Sequence, residues 1–198
     1  MLVVFVTGDF VMLAIIDNSG TPRGIKLREF FIRSGIPCSL CVSEDVVRQG
    51  NMVISFDDDV SETDNELVIR ADGKAFGNSI RRRAEISRLM KCAENLLSNK
   101  FGFNIRAFRA GRFLVKDSYI YVCGTPLRLT AAERCILFCL SFCENEWTDA
   151  VTIAQHCMIS GSAASVRVHI FNLNEKVHLY SAAPFIESQR GKGYRIFG

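Results

Sequence analysis

A chain of 198 residues has room for two domains of ordinary size, and its 48% apolar and 23% charged content excludes a disordered or low-complexity chain. The net charge of +3 conceals an asymmetry: residues 1–80 carry seven Lys/Arg against twelve Asp/Glu (−5), and residues 81–198 carry seventeen against nine (+8), so only the second half is expected to meet a polyanion. The first sixteen residues are apolar, but Thr7-Gly8-Asp9 interrupts them and no basic stretch precedes them, which excludes a secretory signal or a membrane span; the chain is expected in the cytoplasm, with its eight cysteines as reduced thiols.

In chain order, residues 2–6 read as a short buried strand and residues 25–32 as a helix with Leu27, Phe30 and Phe31 on one face. Pro37 punctuates, and a second apolar run covers residues 38–42. Residues 51–56 form a third strand candidate ending in Asp57-Asp58-Asp59, and residues 67–69 a fourth. Short apolar strands alternating with partly helical segments predict a small α/β layer. From Ser79 to about Ser98 the period becomes helical, with Ile86, Leu89, Met90, Ala93, Leu96 and Leu97 at three- and four-residue spacing and Arg81-Arg82-Arg83 near the start. Such a helix packs either on its own domain or on a second subunit.

After Gly102 come strand-like segments at residues 105–108, 113–116, 119–122 and 127–129. They are separated by Gly111, Asp117-Ser118 and Gly124-Thr125-Pro126, the pattern of a small antiparallel sheet. Thr130-Ala131-Ala132-Glu133 has capping-box spacing, so a helix is predicted to start at Thr130. It carries Ile136, Leu137, Leu140 and Phe142. A short helix follows at residues 149–157 and a third at residues 162–179, and the chain closes in a hairpin about Gly191-Lys192-Gly193. On the third helix Val166, Ile170, Leu173 and Val177 should face the core. Arg167, His169, Asn172, Asn174 and Lys176 are then candidates for the outer face.

Three motifs occur in a fixed order. Gly124 to Glu133 resembles the G-x-x-x-x-L-T-x-x-E approach to the first helix of the OmpR/PhoB-type response regulators. Ser165-Val166-Arg167-Val168-His169-Ile170-Phe171-Asn172-Leu173 resembles their recognition-helix pattern T-V-D-V-H-I-x-x-L, and Arg190-Gly191-Lys192-Gly193-Tyr194-Arg195 their wing signature R-G-x-G-Y-R. The resemblance implies an α/β receiver-like domain (1–80), a linker helix that serves in dimerisation (81–103) and an α+β winged helix-turn-helix domain (104–198). It implies a homodimeric transcription regulator bound to double-stranded DNA, with RNA polymerase as a further partner, no cofactor and no enzymatic activity.

By that resemblance, Thr130, Ser165, Arg167, His169, Asn172, Asn174, Lys176, Ser188, Arg190, Lys192 and Tyr194 contact DNA. His169 would touch a phosphate, and Asn172 and Asn174 would lie toward bases. Arg167 has the fork that guanine accepts, Arg190 or Lys192 would read the minor groove, and Tyr194 would donate its hydroxyl to a phosphate. The family commonly places arginines where this chain has Ala164, Phe171, Asn172, Asn174 and Glu175. Fewer phosphate contacts imply weaker binding, greater dependence on dimerisation, or an unusual site. Phe171 is a candidate for contact with a thymine methyl or with a partner protein.

The receiver resemblance implies a phosphorylated aspartate and an acidic pair holding Mg²⁺. Here one acid, Asp9, follows the predicted first strand, Asp57 stands at the phosphoacceptor-like position, and the lysine expected after a fifth strand is missing. Aspartyl phosphorylation is therefore not expected to be the switch. Cys38-Ser39-Leu40-Cys41 is a C-x-x-C pair in a strand-like run, with alternation sending its two side chains to opposite faces. Cys135, Cys139 and Cys143 share one helix stripe. Structural thiols are expected at both places; a Cys-His catalyst drawing on His156, His169 or His178 lacks an orienting group. Two other readings stay open beside the DNA-binding regulator: a protein-interaction module built on the same domain, and a thiol redox protein using Cys38 and Cys41.

Overall fold

A computed structural model describes residues 13–17, 22–41, 52–56, 68–143, 146–158, 162–182 and 185–197. The strand predicted at residues 2–6, Asp9 and the acidic run 57–59 lie outside the described residues.

The first sheet is wholly parallel. Its strands are β1 (Leu13–Ile16), β2 (Cys38–Cys41), β3 (Met52–Ser55) and β4 (Val68–Arg70), in the spatial order β2-β1-β3-β4. Between β1 and β2 runs α1 (Arg23–Arg33), the crossover that parallel neighbours require. Every residue of β1 and β3 is buried, as central strands covered on both faces must be. Alternation divides them: Leu13, Ile15, Met52 and Ile54 join the main core, while Ala14, Ile16 and Val53 form a second, smaller cluster.

The strand expected at residues 2–6 lies outside the described residues, and β1 is a strand that the sequence reading did not name. The described strand that hands the chain to α1 is Leu13–Ile16, and the acid that follows it is Asp17. On α1, Leu27 and Phe31 are fully buried, but Phe30 is 37% exposed and does not share their face. A helix repeats its face at four residues, so Phe31 follows Leu27 inward and Phe30 lies to the side.

The long helix α2 (Ser79–Phe101) has Asn78 as its N-cap, the Oδ1 accepting from the Ile80 and Arg81 amides, and closes on Gly102 in the left-handed region. Leu89, Ala93 and Leu97 are buried, and Ile86, Met90 and Leu96 pack at the edge of the core. Glu85 ties α2 to the end of β4 by accepting from the Asp72 amide at 2.9 Å. Arg88 lies beside it, and its hydrogen bond is the main reason the Glu85 carboxyl titrates below its ordinary value.

A separate antiparallel sheet follows: β5 (Ala107–Ala110), β6 (Phe113–Lys116), β7 (Tyr119–Val122) and β8 (Thr125–Arg128), in chain order. The first strand lies two residues later than the predicted segment, and the last starts two residues earlier and ends one earlier. Cys123 and Gly124 make the two-residue turn with positive φ values of 49° and 83°, which leaves Thr125 and Pro126 free to enter β8. Pro126 is tolerated because β8 is an edge strand.

Helices α3 (Ala131–Phe142), α4 (Ala150–Cys157) and α5 (Ala163–His178) and the hairpin β9 (Ile186–Gln189) with β10 (Gly193–Ile196) complete the chain in the predicted order. The Thr130/Glu133 capping box is present, with the Glu133 amide 3.2 Å from Thr130 Oγ1 and the Thr130 amide 2.8 Å from Glu133 Oε2. Helix α3 is buried from Glu133 through Leu140 and forms the centre of the molecule.

One buried cluster runs from β1, α1 and α2 through α3, α4 and α5 to the hairpin. Two arginines stitch the N-terminal layer to these helices. Arg28 of α1 donates to the Cys38 carbonyl at 3.0 Å and, through Nη2, to the Gln155 and Met158 carbonyls at 2.7 and 2.8 Å, closing the C-terminal end of α4. Arg134 of α3, 7% exposed, donates to three carbonyls: Gly35 just past α1, Ile105 before β5, and Asp117 in the β6–β7 turn. No helix among the described residues is long and apolar enough to cross a membrane.

Candidate nucleic-acid interface

The outward features of the C-terminal region are α5 and the β9–β10 hairpin. Val166, Ile170, Leu173 and Val177 are all buried, at most 3% exposed, as the spacing predicted. That fixes the rotation of α5 and turns Ala164, Arg167, Val168, Phe171, Asn172 and Glu175 toward solvent. Ser165 and His169 are half-buried at the margins of this stripe.

Two residues assigned to the outer face hold the domain together instead. The Asn174 side chain accepts from the Ile186 amide and donates to the Ile186 carbonyl, both at 3.0 Å, pairing the start of β9 with α5 as a strand would. The Lys176 ammonium lies 2.7 Å from both carboxylate oxygens of Glu133, whose side chain is 3% exposed. A buried carboxylate needs such a partner, and the capping-box acid thereby locks α5 to α3. The capping box placed Glu133 at the start of α3, but its burial against Lys176 is visible only in the fold. Thr130 likewise spends its hydroxyl on the Glu133 amide.

The hairpin projects Ser188, Gln189, Arg190, Gly191 and Lys192 into solvent. Its base is a third short pairing, in which Thr148 and Tyr194 exchange both backbone hydrogen bonds at 2.8 and 2.9 Å. Gly193 makes this possible: its φ is 113°, and a Cβ there would collide with the Thr148 carbonyl. The Trp147 ring is flanked by the Arg195 guanidinium, 4.6 Å from its centroid, and the Lys192 ammonium at 5.9 Å. Arg195 is also paired with Glu187 at 2.7 Å. Tyr194 is half-buried, its ring packed against the core.

α4 begins at Asp149, whose carboxylate accepts from the Val151 and Thr152 amides at 2.8 and 3.0 Å. Burial pushes that carboxyl up, but the Thr152 hydroxyl and these amides outweigh it and hold it below its usual value. On the same helix, burial and the neighbouring Arg28 push the His156 imidazole down to about 4.

Five of the described cysteines are buried, while Cys92 is half-buried and Cys123 exposed. Cys38, Cys135, Cys139 and Cys157 are fully buried, and burial drives the Cys135, Cys143 and Cys157 thiols far above their ordinary range. Thiols so protonated are poor nucleophiles. The Cys41 side chain lies outside the described residues. Among the described residues, no group of His, Cys, Asp and Glu is arranged to hold a metal ion.

At the other end of the molecule, the order β2-β1-β3-β4 puts its topological switch point between β1 and β3, where open parallel sheets open a crevice at the strands' C-terminal ends. Asp17 stands there, with its side chain 3% exposed. Its oxygens accept from Arg23 Nε at 3.0 Å and from the Gly24 amide at 2.8 Å. The Arg23 guanidinium lies 4.7 Å from the centre of the Phe56 ring, just past β3. Among the described residues, the positive charge beside Asp17 is that of Arg23.

No protein-family model and no curated protein matches the chain. Among solved structures it is similar to the response regulator DrrB of Thermotoga maritima, described as an OmpR/PhoB homologue, at 11% identity over 96% of this chain and 80% of that one, with a TM-score of 0.43. It is also similar to a serine-for-cysteine mutant of RitR, at 12% identity over 94% of this chain and 99% of that one, TM-score 0.40. A third is described as belonging to a novel family of redox sensors in the streptococci evolved from two-component response regulators, at 11% identity over 94% and 99% of the two chains, TM-score 0.39.

Proposed function

We propose that residues 104–198 are a winged-helix DNA-binding domain and that the protein is a sequence-specific transcription regulator rather than an enzyme. The observation that carries this is the solvent-facing stripe of α5, held at fixed rotation by its buried face, next to a hairpin that projects Arg190 and Lys192. A helix so presented fits a major groove, and a cationic hairpin beside it reaches the adjoining minor groove. The +8 charge of residues 81–198 supports the same ligand.

In this reading Arg167 and Asn172 face base edges, and His169, Ser165, Ser188 and Tyr194 face the backbone. Arg190 and Lys192 read the minor groove, while Thr130, Asn174 and Lys176 act through the shape of the domain. The protein acts as a homodimer, with RNA polymerase as a further partner; residues 81–103, whose apolar face is packed on their own chain, would meet the second protomer through the remaining polar face. Residues 1–80 are a receiver-like domain whose output is not set by aspartyl phosphorylation, and the pairing of Asp17 with Arg23 at the end of β1 supports this.

Two experiments test the two parts. Arg190→Ala combined with Asn172→Ala should abolish gel-shift of the chain's own upstream DNA and change the output of a promoter reporter; unchanged binding and output would refute the interface. Acetyl phosphate with Mg²⁺ should leave the protein unmodified, and a stoichiometric phosphoprotein would overturn the second part.

A further inference from the structure

Building on the DNA-binding reading, we propose that Val168 and Phe171 recognise thymine methyl groups, so that the duplex is chosen largely by apolar contact in the major groove. The outer stripe of α5 has an apolar centre line, Ala164, Val168 and Phe171, at helical spacing of four and then three residues. Val168 is 59% and Phe171 63% exposed, although the fold offers both a buried face a quarter-turn or more away. Isolated exposed hydrophobes need no explanation, but here two large ones stand together in the middle of the presented face.

Two internal ties stop α5 from turning them inward. Asn174 is bonded twice to Ile186 and Lys176 is bonded to Glu133, so rotation about the helix axis would break both and drag Ile170 and Leu173 out of the core. The same ties remove two polar side chains from the set able to read bases. Arg167 and Asn172 remain exposed, one on each side of the apolar line.

The ligand follows from this composition. Of the charged side chains on the same stripe, Arg167 is cationic and Glu175 anionic; the hairpin that projects Arg190 and Lys192 adds positive charge, and the patch lies in the half of the chain with a charge of +8. Charge complementarity selects a polyanion over an apolar protein surface. The apolar feature that a DNA major groove displays is the C5 methyl of thymine, which alanine and phenylalanine side chains contact. Arg167 and Asn172 would then fix a guanine and an adenine beside one or more thymines.

The full-length protein should be allowed to select its preferred duplex from a random library, and that duplex remade with deoxyuridine for thymine, a change that removes only methyl groups. Wild-type affinity should fall about fourfold for each contacted methyl. The Val168→Ala, Phe171→Ala double variant should bind both duplexes equally and keep the wild-type dependence on salt. Equal wild-type affinity for the two duplexes, with steep salt dependence retained, would overturn methyl recognition and leave DNA binding intact. An equal loss in wild type and variant would overturn the assignment to these residues. Failure to select any duplex would overturn both readings.

Discussion

At the scale of single residues, the fold depends on groups whose roles are set by what they meet across the chain. Arg134 satisfies three carbonyls from three segments at 7% exposure. Its replacement by Met keeps much of the volume but strands those carbonyls. The expected loss is about 2–4 kcal/mol of unfolding free energy, measured by urea titration; a loss within error would show that water serves them equally well.

His156 gives a second test. Its imidazole stays neutral in the fold down to about 4, whereas the unfolded chain takes up the proton near 6.5. The unfolded state therefore binds more protons between those values, and stability present above 6.5 is lost as pH falls toward 4. Arg28 reinforces the depression and Asp149 opposes it. Comparing wild type with His156→Gln at pH 7 and pH 4.5 isolates this group from the carboxylates. The variant should lack an acid-dependent loss on the order of 2–3 kcal/mol, and parallel acid profiles would contradict the assignment.

At the scale of elements, local chemistry sets the boundaries and tertiary packing sets the roles. The Thr130/Glu133 box and the glycines of the last hairpin were legible in the sequence because capping and tight turns are decided within four residues. The buried line on α5 was legible for a similar reason, since helical periodicity reports the face directly. β1 was missed because Leu13–Ile16 continues the apolar run from Phe10 with no turn residue to mark its start, and only pairing with β2 and β3 distinguishes it. The true tasks of Asn174, Lys176 and Arg134 could not be read, because each depends on a partner between 12 and 99 residues away.

Gly193 is the sharpest element-level test. Changing it to Ala requires a side chain at φ 113° and against the Thr148 carbonyl, so the Thr148–Tyr194 pairing must open. A cost of about 2–3 kcal/mol and loss of amide protection at Thr148 and Tyr194 are expected, as measured by hydrogen exchange. Retained protection at both amides would show that the strand can shift to admit the methyl group.

At the scale of the molecule, the N-terminal parallel layer and the C-terminal helices share one buried cluster, and Arg28 and Arg134 bridge between them. Unfolding should therefore be a single cooperative transition, with tryptophan fluorescence from Trp147 and far-ultraviolet circular dichroism giving the same midpoint. Two separated transitions would mean that the halves fold independently despite the common core. The shared cluster also bears on regulation. α1 docks on α3 and closes the end of α4, which packs on α5, so the N-terminal layer is in packed contact with the helices that carry the presented face.

The most direct test of the whole proposal is the affinity of the intact protein for duplex DNA as a function of salt. The selected duplex should bind with a logarithmic slope of several released counterions, and Arg190→Ala should lower that slope by about one. No duplex binding at low salt, or binding that neither salt nor Arg190→Ala alters, would contradict it.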